Sequence, residues 1–254
     1  MGASPGSSRE GKGPQAARRS RPRVEGLEER LLLYGTLGAR WVYGDRITFS
    51  FMPDGTSIGG APSSLYQSLS PLGESNWKRQ FYMAMNVWQA VTNINLVEVT
   101  DDMTPVGSYG NQQNDGRFGD IRIGAIPLAY GTVGAAYSPP PHNGGTLAGD
   151  IVLNSTMSWK INAHYDLRTV AVHEIGHALG MSHADIGRAV MFSYYTSMKP
   201  YLDTDDVDGL RSVYNGSRKP DFWNSDGRIN QMYWEAVSLD GARTSLNQIT
   251  VANL

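Results

Sequence analysis

The 254-residue chain contains no cysteine, which excludes disulfides, thiolate metal sites and cysteine nucleophiles together. Any metal must therefore be held by His, Asp or Glu. No apolar run is long enough to span a bilayer, so no transmembrane segment is expected. Charge of one sign is also lacking: the net value of -2 calls for neither nucleic acid nor an anionic membrane as partner. The first 26 residues have almost no bulky apolar side chain, so burial cannot offset their ordering entropy. An ordinary cleavable export signal needs an apolar core of roughly 7–15 residues. Only Leu31, Leu32, Leu33 and Tyr34 follow one another here.

Three segments are expected. Residues 1–38 read as a disordered basic arm, whose 24–33 stretch resembles a short export motif of some bacterial proteins. Residues 39–216 read as one folded domain, and 217–254 as a linker or the opening of a further module. From Arg40 the run RWVYGDRITFSFM alternates aromatic and β-branched residues, as a first strand would. Phe81, Met85, Trp88 and Val91 stand at helical spacing, predicting an amphipathic helix over 76–91 with Ser75 or Asn76 as cap. Strands are expected at 95–99, 120–126, 132–137 and 150–153. The Pro- and Gly-rich stretch 138–148 should be an exposed loop.

The chemistry concentrates in one place, because three of the five histidines fall in the spacing HExxHxxGxxH. Asp166 can cap a helix over 167–179, on which His173 and His177 share a face and can reach one ion. Glu174 is rotated about 100° from His173, off the metal but near a metal-bound water. Gly180 ends the helix, tolerates positive φ and lets the chain return with His183 as third ligand. Three protein ligands leave a position open, which distinguishes a catalytic zinc from a structural one. Zinc would acidify its bound water, Glu174 would take the proton, and the hydroxide would attack a polarised carbonyl. His142 and His164 lie in polar loops and read as surface residues.

These residues resemble the metzincins, and within them the matrixin branch. Residues 189–195 (AVMFSYY) resemble the Met-turn, with Met191 packing beneath the metal and Tyr195 helping to wall a specificity pocket. Ser193 stands where matrixins usually have Pro. Residues 205–214 resemble the family's C-terminal helix, and Gly134–Tyr137 its substrate-receiving edge strand, with Ala135 and Ala136 in contact with substrate. The resemblance implies an α+β fold: a twisted, mostly parallel sheet with an antiparallel edge strand, an active-site helix and a C-terminal helix. It implies a zinc-dependent endopeptidase acting on protein or peptide substrates, secreted or at the cell surface, and a monomer. Ala135 and Val152 occupy positions where relatives place histidines of a second, structural zinc, so one zinc is expected. Gly149-Asp150 resembles a calcium-associated segment, which makes Asp150 a candidate calcium ligand. Latency through a cysteine on the zinc is excluded. Two other readings compete: a non-catalytic, zinc-stabilised adhesion module, and a zinc hydrolase of non-peptide amides.

Overall fold

The computed structural model describes residues 1–2 and 34–219. The expected basic arm and the segment from residue 220 lie outside the described residues. In chain order the elements are β1 (Ile47–Phe51), β2 (Ser57–Ile58), β3 (Ala61–Pro62), α1 (Leu65–Leu69), α2 (Glu74–Gln89), β4 (Leu96–Glu98), β5 (Ile121–Ile126), β6 (Gly134–Ala136), β7 (Ile151–Asn154), α3 (Leu167–Ala178) and α4 (Thr204–Val213).

The main sheet has the order β4-β1-β5-β7-β6. The first four strands are parallel, and β6 runs antiparallel along β7 at the edge. This is the expected α+β architecture. β1 is buried at all five positions although its sequence, ITFSF, alternates apolar and hydroxyl residues: Thr48 Oγ1 accepts from the Asp120 amide at 2.9 Å and Ser50 Oγ donates to Asp101 at 2.8 Å, so the polar face is buried with its hydrogen bonds made. Across the edge pair Ala135 faces Val152, so small and apolar residues fill that register.

α2 and α3 lie against each other under the sheet. The Trp88 indole donates to the Val172 carbonyl at 2.9 Å, tying the two helices where both are buried. α3 is apolar on most of its circumference, as a helix enclosed by sheet, α2 and the following loops must be. Gly176 makes that enclosure tight: a Cβ there would collide with the Met191 sulfur and stand 2.8 Å from the Trp88 ring.

Two sequence expectations are corrected in detail. The run from Arg40 is strand only over Ile47–Phe51, because a 3-10 turn at Gly44–Arg46 precedes it. Trp41 is buried for a different reason: its indole donates to the Ala178 carbonyl at the end of α3, 2.9 Å away. The cap of α2 is Gly73 at φ 79°, not Ser75 or Asn76. The Asn76 amide is used instead to donate to the Leu72 carbonyl at 3.0 Å, closing the turn that enters the helix. The loop over 138–148 is irregular as expected, except for a 3-10 turn at Gly145–Leu147, and Thr146 within it is buried. Among the described residues no helix is long and apolar enough to cross a membrane.

Candidate metal centre

α3 begins where Asp166 accepts from the Thr169 amide at 2.9 Å, the expected cap. The Tyr195 hydroxyl accepts from the Asp166 amide at 3.0 Å, so the loop that follows the Met-turn is fixed to the start of the helix. One turn apart on α3, His173 and His177 each place Nδ1 against a backbone carbonyl: Val190 at 2.8 Å and Met181 at 2.9 Å. A carbonyl can only accept, so both Nδ1 atoms carry the proton and both Nε2 atoms present lone pairs.

Those lone pairs converge. His177 Nε2 lies 3.1 Å from His173 Nε2 and 3.3 Å from His183 Nε2. Three acceptor nitrogens crowded together repel unless a cation lies between them. Two nitrogens about 2.0–2.1 Å from one tetrahedral zinc stand about 3.3–3.4 Å apart, so the set fits a single zinc ion. All three donor atoms lie within 4.8 Å of one another. Burial, and next the charge of neighbouring His177, lowers the pKa of His173 to about 3; burial lowers that of His177 to about 4. Both are thus in the neutral form that ligation requires.

His183 reaches the cluster through the glycine stop. Gly180 has φ 102°, and a Cβ there would collide with the Ala39 carbonyl oxygen, so the position is closed to side chains both by dihedral angle and by space. The segment before Ala39 braces the return: Leu37 donates to the Gly180 carbonyl at 3.0 Å and Ser182 to the Gly35 carbonyl at 2.9 Å. Beneath the histidines, Met191 is fully buried against Gly176. Asp206, at the start of α4, accepts from the amides of Val190 at 2.8 Å and Met191 at 3.1 Å, which pins the Met-turn. The expected C-terminal helix over 205–214 gives no sign of this contact in the sequence.

Glu174 is 4% exposed and lies beside the histidines. Burial is the one cause acting on its carboxyl, and it pushes the pKa up to about 8. The edge strand passes close above: a Cβ on Gly134 would stand 2.7 Å from Glu174 Oε1. Only glycine leaves the carboxyl room at that point.

A cleft of about 470 Å³ opens over the cluster, lined on one side by Ala135 and Ala136 of β6 and on the other by Phe192, Tyr195 and Lys199. The structure thus brings together His173, His177, His183, Glu174, Ala135, Ala136 and Tyr195, with Gly180 and Met191 shaping the centre from below. His142 and His164 are exposed, and His164 stacks on the rings of Tyr165 and Tyr195 at centroid distances of 4.1 and 5.5 Å. Asp150 lies apart from the cleft. It is wholly buried, Oδ1 accepts from the Arg122 amide at 3.0 Å, and burial raises its pKa well above the carboxylate range. Beside it the Arg122 guanidinium is paired with Asp101 at 2.7 Å, both side chains fully buried. Among the described residues no group of three His, Asp or Glu ligands forms around Asp150, so the calcium expectation gains no support there. Sequence reading missed Leu37, Gly134's contact with Glu174, and Lys199. None of them belongs to the zinc motif, and each reaches the cleft through tertiary folding.

Comparison with known proteins agrees with this geometry. The chain is similar to karilysin of Tannerella forsythia, 32% identical over 155 residues, which is 59% of this chain and 31% of that protein. It is similar to metalloendoproteinase 2-MMP of Arabidopsis thaliana, 29% identical over 180 residues, 66% of this chain and 46% of the relative. Human matrix metalloproteinase-27 is 32% identical over 139 residues, 53% of this chain and 26% of the relative. The chain therefore spans less than half the length of each of these relatives. The sequence profile described as matrixin matches residues 64–215, more than half of the chain and the whole stretch from α1 to α4. On that match the chain belongs to the matrixin family.

Proposed function

We propose that this chain is a zinc-dependent endopeptidase that hydrolyses peptide bonds in extended polypeptide substrates. The observation that carries the reading is the pairing of three converging imidazoles with a buried carboxyl, Glu174, which accepts no hydrogen bond among the described residues and faces an open cleft.

His173, His177 and His183 would hold the zinc, which would supply Lewis-acid polarisation of a carbonyl and acidify water. The remaining work falls to the protein. β6 pairs with β7 on one side only, so its other edge offers backbone N–H and C=O groups to an extended peptide. Ala135 and Ala136 keep that edge low, and Tyr195 bounds the opposite wall. Glu174 accepts a proton from the attacking water and returns it to the leaving nitrogen, one carboxyl serving in both directions. The Val190 and Met181 carbonyls hold the two helical imidazoles in the tautomer that leaves Nε2 unprotonated. The family resemblance supports action outside the cell. A non-catalytic adhesion module would give Glu174 no task, and hydrolysis of a non-peptide amide would leave the free strand edge without one.

The test is digestion of an unfolded protein by the zinc-loaded chain, with products mapped by mass spectrometry. Internal cuts that stop on chelation and resume with zinc are expected. Intact substrate, or trimming from the ends alone, would overturn the reading.

A further inference from the structure

Among the described residues Lys199 is the one Lys or Arg in the wall of the cleft, and the surrounding chain holds it there. Its amide donates to Thr169 Oγ1 at 2.9 Å, and that hydroxyl in turn donates to Asp166 Oδ2 at 2.8 Å, so its backbone is tied to the first turn of α3. Its ammonium donates to the Ala189 carbonyl at 3.0 Å and lies 5.0 Å from the centre of the Phe192 ring. An ammonium has three donors, and the carbonyl takes one.

No carboxylate forms an ion pair with Lys199 among the described residues. Asp206, whose charge reaches it, is already accepting from the amides of Val190, Met191 and Asp203. Partial burial disfavours the charge, and the Ala189 carbonyl that accepts from it is neutral, so no anion within hydrogen-bonding reach balances it. The same cleft is lined by Val170, Val190 and Phe192 as well, apolar side chains that suit a hydrocarbon stem. A side chain that is apolar along its length and anionic at its tip would satisfy both wall and ammonium.

We propose that Lys199 is a specificity-determining residue, which makes the cleft prefer a substrate glutamate beside the scissile bond. The inference rests on the endopeptidase reading above. Leucine would fill the walls and leave the partly buried ammonium without a counter-charge. The charge-assisted bond sets the direction of the preference.

The experiment compares quenched peptides that differ only in carrying Glu, Asp, Gln or Leu at each position flanking the cut. Wild type is expected to favour Glu over Leu at one flanking position by about tenfold in kcat/KM, equivalent to about 1.4 kcal/mol. Lys199→Met should abolish or reverse that ratio, and Lys199→Arg should keep it. The ratio is taken within each variant, so a reduced folded fraction cancels. Lys199→Gln, which keeps a donor for the Ala189 carbonyl without the charge, serves if the methionine variant does not fold. Leu favoured over Glu by wild type, or a ratio unchanged in Lys199→Met and Lys199→Gln, overturns the role of Lys199 and leaves the endopeptidase reading standing. Absence of any cleavage by zinc-loaded wild type overturns both.

Discussion

Replacing Glu174 by Gln is expected to lower peptide turnover by about 10²–10⁴-fold, the usual contribution of a positioned general base, while one zinc per chain is retained. The two effects separate because Glu174 is not in the ligand set: the three donor atoms that meet belong to His173, His177 and His183. Glutamine has almost the volume of glutamate, so the narrow space beneath Gly134 remains filled and the edge strand keeps its place. Loss below about fivefold, far short of a general base's usual share, would remove Glu174 from the mechanism. Loss of zinc together with activity would mean that the carboxyl supports the metal site rather than the chemistry.

On the balance of His173, His177 and Glu174, the zinc-free chain is expected to gain stability up to about pH 6.5 and to lose it above. His173 and His177 have folded pKa values of about 3 and about 4, below the 6.5 of an unfolded histidine. Their contribution is complete above about pH 6.5 and is lost as pH falls towards 4, because the unfolded chain then binds protons that the folded chain refuses. Glu174 acts in the opposite sense. Its folded pKa is about 8 against 4.5 unfolded, so stability is lost as pH rises from 4.5 to 8. Of these three groups, the two histidines outweigh Glu174 between 4.5 and 6.5, and above 6.5 Glu174 alone still titrates; Asp150, whose pKa burial also raises, adds to the loss as pH rises. Each proton contributes a slope of about 1.4 kcal/mol per pH unit where it acts fully. Glu174→Gln should therefore flatten the alkaline fall and raise the Tm of the zinc-free protein at pH 8 by about 5 °C or more, with little effect near pH 4.5. Thermal melts in chelator across pH 4–9 read this directly. A wild-type Tm that climbs steadily to pH 9 would show that Glu174 is not held in an apolar setting.

The zinc centre was legible in the sequence because it is local. Asp166, the helical spacing of His173 and His177, and the glycine at 180 lie within eighteen residues of His183, and each acts through its own backbone geometry. The fold class and the edge strand were legible through the family resemblance, and short apolar runs placed the four later strands of the sheet to within a residue or two. What escaped is what distant segments supply to one another. Trp41 mimicked a strand residue, whereas its burial comes from α3, 137 positions away in sequence. Asp150 reads as a potential ion ligand at the start of an expected strand, yet the fold sets it against Arg122, whose guanidinium is paired with Asp101. Lys199 sits in a stretch with no periodicity, and only the closure of that stretch onto Thr169 carries it to the cleft. Gly134 gives no sign in sequence that Glu174 approaches from forty residues on.

The central claim is that one zinc ion, held by His173, His177 and His183, makes this chain a peptidase. It is tested most directly by adding zinc in steps to the zinc-free protein and following hydrolysis of a peptide that it cuts. Activity should rise in proportion to added zinc and level off at one equivalent per chain. Full activity in the presence of chelator, or no activity at any zinc equivalent on a broad peptide set, would contradict the claim.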